Sequence, residues 1–80
     1  MSNRIIGADW CPYCIKVKSY FDLKKINYEW VDSDTPAGNE VRETESKKYN
    51  HKTIPMVFVG GKFVGGCDDF FAKNGKQFNL

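Results

Sequence analysis

Cys11-Pro12-Tyr13-Cys14 is the stretch from which the rest of the chain is read. Two cysteines with two residues between them can close a small disulfide or hold two adjacent thiols. Pro12 suits the first turn of a helix, where its missing N–H leaves no bond unmade. The residues from Pro12 to about Lys25 carry a helical pattern. That pattern puts Cys14, Val17, Phe21 and Leu23 or Lys24 near one face, with Tyr20 beside it. Lysines 16, 18, 24 and 25 take the other side, and Asn27 is the expected C-cap. Cys11 is therefore predicted at a helix N-terminus, where unpaired N–H groups and the positive end of the dipole favour an anion. For a cysteine that anion is the thiolate, its reactive form. Cys14 lies one turn in and is expected to be less exposed. The motif gives the two thiols different work, attacker in front and resolver behind.

A CxxC is also half of a common zinc site, and a four-ligand site wants a second Cys/His pair at short spacing. The remaining candidates are His51 and Cys67, singles far apart, with no CxxC or HxxxH neighbour. A purely structural disulfide would close a tiny loop, and loop-closure stabilisation grows with loop length.

With 80 residues the chain is expected to form one domain, residues 1–80. A domain of this size buries about 60–65% of its unfolded surface, so stability is modest. Hydrophobic residues make up 41% and aromatics 15%, enough for a single core. Twelve basic and ten acidic residues give a net charge of +2, scattered rather than striped. That balance argues against a nucleic-acid partner and suits a small anionic substrate. No apolar run approaches the ~18 residues of a membrane span. Met1-Ser2-Asn3-Arg4 passes almost directly into Ile5-Ile6 with no signal-peptide core. Three cysteines are few and odd in number, unlike a secreted disulfide framework, so a reducing, cytoplasmic setting is expected.

The other elements follow in order. Arg4 to Ala8 reads as a strand, and Gly7-Ala8-Asp9-Trp10 as the turn delivering the chain to Cys11. Trp10 is either a wall beside the thiols or a packing residue. Lys18 is a candidate for lending positive potential to the thiols. Tyr28 to Asp32 alternates and reads as a second strand, so strand, helix and strand form a right-handed βαβ unit with parallel strands. Thr35 is the expected N-cap of a polar surface helix, Pro36 its first position, and Ala37 to Tyr49 its body. Val41 and Tyr49 anchor it inward, Asn50 caps it, and Lys47 and Lys48 suit its negative end. Met56-Val57-Phe58-Val59 is a short apolar strand with Pro55 just before it. Gly60-Gly61 signals a hairpin into Lys62-Phe63-Val64. Gly65 and Gly66 turn into a last helix over about Asp68 to Lys73, its two aspartates fitting a first turn electrostatically. Residues 75–80 read as a short tail with Phe78 folded back.

Three separated signatures now stand together: Cys11-Pro12-Tyr13-Cys14 after a first strand, Thr53-Ile54-Pro55 before a third, and Gly65-Gly66-Cys67-Asp68-Asp69 after a hairpin. In order, spacing and setting the chain resembles a glutaredoxin of the dithiol CPYC class over nearly its whole length. Thioredoxins share a Trp before the first cysteine, but they usually carry Gly-Pro between the two and lack GGCDD. The resemblance implies an α/β fold, the minimal thioredoxin fold: a four-stranded mixed sheet flanked by three helices in the order β-α-β-α-β-β-α. It also implies a cis peptide at Ile54-Pro55. By the same resemblance the activity is glutathione-dependent reduction of protein disulfides and glutathione mixed disulfides. Cys11 is then the nucleophile and Cys14 the resolving thiol, with no cofactor besides glutathione as co-substrate and no metal. The implied glutathione contacts are Tyr13 beside the chain, Arg42 on the glycine carboxylate, and Thr53, Ile54 and Pro55 along the backbone. Cys67 and Asp68 are implied for the γ-glutamyl end.

One departure from many relatives is Ala8, where they have a lysine, followed here by Asp9. A positive group near the thiols is missing and a negative one is added. Cys67, a third thiol, is expected to be packed or weakly exposed. Glutaredoxin potentials of about −200 to −230 mV lie within reach of the glutathione pool. Ribonucleotide reductase is a usual partner of the family, though nothing in these residues selects it, and a monomer is expected. Two rival readings remain at this point. One is a glutathione-ligated [2Fe–2S] cluster bridging two chains through Cys11, against which Pro12 and Tyr13 argue, since cluster-using relatives have smaller residues there. The other is a redoxin fed by thioredoxin reductase.

Overall fold

Four strands and three helices follow one another in the expected order. The structure, a computed structural model, describes residues 3–74. The elements are β1 (Arg4–Gly7), α1 (Pro12–Leu23), β2 (Glu29–Asp32), α2 (Pro36–Tyr49), β3 (Met56–Val59), β4 (Lys62–Gly65) and α3 (Cys67–Asn74). The sheet order is β2-β1-β3-β4. β1 runs parallel to β2, pairing Ile5 with Trp30 and Ile6 with Val31. It runs antiparallel to β3, pairing Ile5 with Val57. β3 and β4 form the hairpin, with an irregularity between Val57 and Phe58. Gly60 and Gly61 both take positive φ (60° and 81°) in its turn, the geometry that a two-residue hairpin loop demands. The expected tail and the folded-back Phe78 lie outside the described residues.

Because side chains alternate along a strand, the sheet sorts its apolar residues onto two faces. Ile5 and Val57 point to one face, where α1 and α3 supply Val17, Tyr20, Phe21, Cys67 and Phe70. Ile6, Met56 and Phe58 point to the other, where α2 supplies Val41 and Tyr49. With helices on both sides, β3 is buried on both faces, which is why its sequence is a continuous apolar run rather than an alternation. Aromatic rings dominate the first core: Phe21 stacks on Phe70 at 5.1 Å and meets Tyr28 edge-on at 5.3 Å.

α2 is built as its sequence indicates. Thr35 Oγ1 accepts from the Gly38 N–H at 3.0 Å, Pro36 opens the helix, and Asn50 closes it in the left-handed conformation. α1 departs from expectation at its end. It stops at Leu23 rather than near Lys25, and the residue that turns left-handed is Lys25 (φ 58°), not Asn27. The Lys25 N–H donates to Asp22 O and the Ile26 N–H to Phe21 O, the two bonds of a Schellman ending. Ile26 then folds onto the core beside Phe21. That closure also corrects Leu23. The core seat beyond Phe21 is filled from the turn by Ile26 and Tyr28, and Leu23 is left 78% exposed. β1 and β2 are each one residue shorter than read from sequence, and α3 starts one residue earlier, at Cys67.

Candidate functional site

The N-cap of α1 is a cysteine. Cys11 holds extended backbone angles (φ −87°, ψ 114°), and its Sγ accepts the Cys14 N–H at 3.4 Å. The sulfur thus occupies the place where a capping oxygen normally stands, facing the donors at the helix opening. The Cys11 residue is only 6% exposed, more covered than an attacking thiol at a helix tip would suggest, yet it borders an open groove. Its Sγ lies 4.0 Å from the Ile54 carbonyl oxygen. The Ile54–Pro55 peptide is cis, as the resemblance implied.

Cys14 is fully buried among Ala8, Cys11, Trp30 and Ile54. Burial, then the hydrogen bond and charge of Cys11, push its thiol up to about 12, against a lowering hydrogen bond from the Ala8 backbone. Gly7 makes room for it: a methyl group at residue 7 would lie 2.7 Å from the Cys14 Sγ. Both cysteines are free thiols. Cys67, the third, is packed in the core at 5% exposure, and burial raises its thiol above the ordinary value despite the opposing charge of Lys16.

Two recesses meet beside Cys11. One, of about 410 Å³, lies between the proline loop and the start of α3, and is lined by Tyr13, Thr53, Ile54, Pro55, Cys67 and Asp68 together with His51, Gly66 and Asp69. The other, of about 580 Å³, lies between the start of α1 and α2, and Cys11, Tyr13, Thr53, Ile54 and Arg42 line it with Trp10, Asp34 and Lys52. They share Tyr13, Thr53 and Ile54, so the pair reads as one groove passing the Cys11 sulfur. Every residue singled out from the sequence for binding therefore borders this groove. Tyr13, 61% exposed, stands at its middle.

The groove's ends differ in charge. Asp68 and Asp69 lie in the first turn of α3. Arg42 and Lys52 lie at the other end, with Asp34 as the one carboxylate among the described residues lining that recess. The Arg42 guanidinium is steadied from its own helix, its Nε and Nη2 both donating to Asn39 Oδ1 at 3.2 and 3.0 Å. Trp10 proves to be a wall rather than a core residue. It is 68% exposed, and its Nε1–H donates to Asp34 Oδ2 at 2.9 Å. The Lys18 ammonium sits 4.2 Å over the Trp30 ring and 3.9 Å from Asp9 Oδ1, and it is not among the charges that shift the Cys14 thiol. Sequence reasoning missed Asn39, His51 and Lys52 as groove residues. His51 and Lys52 directly precede Thr53-Ile54-Pro55, and that adjacency was the available signal. Among the described residues no cluster of three His, Cys, Asp or Glu is placed to hold a metal ion.

Comparison with known proteins agrees with this geometry. Residues 3–64 match the glutaredoxin family profile. A glutaredoxin from Ricinus communis is 37% identical over 76 residues, covering 91% of this chain and 74% of that protein. Glutaredoxin-C6 from Oryza sativa subsp. japonica is 31% identical over 71 residues, covering 88% of this chain and 63% of that protein. The crystal structure of a buckwheat glutaredoxin–glutathione complex superposes with a TM-score of 0.85 at 28% identity, over 96% of this chain and 71% of that one. The chain thus spans between 63% and 74% of the length of these three proteins. The sheet order and its three helices are those of a thioredoxin-like fold. The chain belongs to the glutaredoxin family, whose members are thiol–disulfide oxidoreductases.

Proposed function

We propose that this chain is a dithiol glutaredoxin that uses glutathione to reduce mixed disulfides and protein disulfides in a reducing compartment such as the cytoplasm. The observation that carries the reading is the placement of the Cys11 sulfur. It caps α1, faces the carbonyl of Ile54, a residue that the two recesses share, and lines the recess that holds Arg42 and Lys52. Glutathione is a zwitterionic tripeptide with a carboxylate at each end and an amine at one. Its central cysteine would run beside Ile54, pairing with backbone groups as an added strand does. Its glycine carboxylate suits Arg42. Its γ-glutamyl amine suits Asp68, and its α-carboxylate suits the N–H groups at the opening of α3. The buckwheat relative seen in complex with glutathione supports the same ligand.

The chemistry is thiol–disulfide exchange. With a glutathionylated protein, the Cys11 thiolate attacks the glutathione sulfur. A Cys11–glutathione disulfide forms, the old S–S bond breaks, and the protein leaves as a thiolate that takes a proton from water. A second glutathione thiolate attacks that mixed disulfide, releasing glutathione disulfide and restoring Cys11. With a protein disulfide, Cys11 forms a mixed disulfide with one protein sulfur. Cys14 then loses its proton and attacks the Cys11 sulfur, giving a Cys11–Cys14 disulfide and the reduced protein, and two glutathiones reduce it. The environment of Cys14 fits this order. While Cys11 is a free thiolate, its charge and its hydrogen bond help keep Cys14 protonated. Once Cys11 is bound in a mixed disulfide both influences fall away, so the resolver becomes easier to ionise when it is needed.

Turnover of a glutathionylated peptide, with NADPH and either glutathione plus its reductase or thioredoxin reductase, tests the reading. Activity is expected with the glutathione pair and little with thioredoxin reductase, and the reverse would reassign the electron donor. Brown, freshly purified protein with visible absorbance would instead favour a cluster-binding module.

A further inference from the structure

We infer that His51 is a specificity-determining residue for the γ-glutamyl end of glutathione, an inference that rests on glutathione being the ligand, as proposed above. His51 follows the left-handed Asn50 that ends α2, and its backbone is fixed on both sides. Its N–H donates to Ser46 O at 3.0 Å, and its carbonyl accepts from Ser46 Oγ at 2.6 Å. The ring, half-buried, meets Phe63 edge-on at 5.3 Å and lies with Nε2 3.2 Å from Thr53 Oγ1. Its Cε1 edge comes up against Gly66, where a methyl group would stand 3.5 Å away. Gly66 is the residue before the opening of α3. The imidazole therefore stands against Gly66 in the recess that Cys67 and Asp68 also line.

The charges around it decide what the ring can do. From α3 come Asp68, Asp69 and the Cys67 thiol, and from α1 comes the Tyr13 phenol. α2 presents the Ser46 hydroxyl and β4 the Phe63 ring. Lys52 is the neighbouring residue in the chain, and it lines the other half of the groove. The fixed charge of this recess is thus all carboxylate, which serves the ligand's amine but opposes its α-carboxylate. Among the described residues lining it, His51 is the side chain able to add a positive charge on the carboxylate's side. An imidazole changes charge between pH 5 and 8, a range in which ordinary carboxylates, phenols and lysines keep theirs. Hold on the γ-glutamyl carboxylate accordingly strengthens as pH falls from 7.5 to 5.5. Discrimination in favour of ligands that carry this carboxylate strengthens with it.

The test is an NMR titration with S-methylglutathione, which binds without reacting, on wild type, His51→Gln and His51→Ala at pH 7.5 and 5.5. Wild-type affinity is expected to rise about twofold to fivefold on acidification, the range of a half-exposed ion pair. His51→Gln, which keeps a polar group beside Thr53, is expected to show no rise. His51→Ala is expected to bind about threefold to tenfold more weakly at pH 7.5, the loss of one hydrogen bond. An S-methylglutathione analogue with its γ-glutamyl carboxylate converted to a carboxamide is expected to show no rise with any of the three proteins. A flat wild-type response overturns the inference, as does a rise that survives in His51→Gln or appears equally with the carboxamide. Failure of the underlying function looks different: wild type would then not turn over with glutathione at all.

Discussion

The openings of α1 and α2 are built alike and do different work. Each has proline at its first helical position, Pro12 and Pro36, after an N-cap whose side chain accepts a backbone N–H three residues on. At α2 the acceptor is the Thr35 hydroxyl, 3.0 Å from the Gly38 nitrogen, and the cap also donates to Asp32 O at 2.9 Å. At α1 the acceptor is the Cys11 sulfur, 3.4 Å from the Cys14 nitrogen. An oxygen that caps a helix contributes stability and nothing else. A sulfur in the same place sits among the donors at the helix opening, and the function proposed above makes it the nucleophile. On that proposal the fold would reach its reactive group by changing one atom type in an ordinary structural device that borders a groove.

Substitutions at the two caps separate stability from chemistry. The largest effect is expected for Cys11→Ser, which removes the nucleophile. Steady-state turnover of both mixed disulfides and protein disulfides should fall by about three orders of magnitude or more. Chemical denaturation should show stability unchanged to within about 0.5 kcal/mol, since serine is itself a favoured N-cap. Cys14→Ser should divide the two activities. On the proposed mechanism deglutathionylation needs only Cys11 and should persist, and reduction of a protein disulfide should be lost, in parallel assays on the two substrates. Thr35→Ala should do the opposite of Cys11→Ser. It costs about 1 kcal/mol of unfolding free energy and leaves turnover unchanged. If turnover fell in proportion to Thr35→Ala, the distinction between the two caps would collapse.

The smallest effect is an alkaline one away from the groove. Burial, then its 2.8 Å hydrogen bond to Asp22, pushes the Tyr28 phenol from 10.0 to about 12. The neutral form is thus favoured in the folded state. Below pH 10 the phenol is protonated whether the chain is folded or not, and its stabilising contribution is fully present. Between about pH 10 and 12 the unfolded chain loses the proton first, so stability falls as pH rises. Tyr28→Phe should reduce the slope of stability against pH across that window. Cys14, raised from 9.0 to about 12, contributes a parallel loss beginning near pH 9.

Much of the fold was readable because local chemistry specified it. Thr35, Pro36 and Asn50 mark both ends of α2, and Gly60-Gly61 marks the hairpin. The end of α1 was not readable in the same way. Its left-handed residue is a lysine, whereas glycine or asparagine is the usual signal, and Asn27 two residues later drew the boundary too far. The candidate site divides similarly. Cys11 and Cys14 announce themselves by their spacing, and the Thr53-Ile54-Pro55 run stood out through the family resemblance. The placement of Trp10 depends on Asp34, 24 residues away, and that of His51 on Phe63 and Gly66 across the hairpin. Contacts of that kind are set by the packing of β3, β4 and α2 and leave no periodic trace in sequence.

The most direct test is to expose the Cys14→Ser variant to glutathione disulfide and map the adduct by mass spectrometry of its peptides. A single glutathione joined to Cys11, with Cys67 unmodified, is the predicted result. An adduct carried chiefly by Cys67, or none on Cys11, would contradict the assignment of the capping sulfur as the nucleophile.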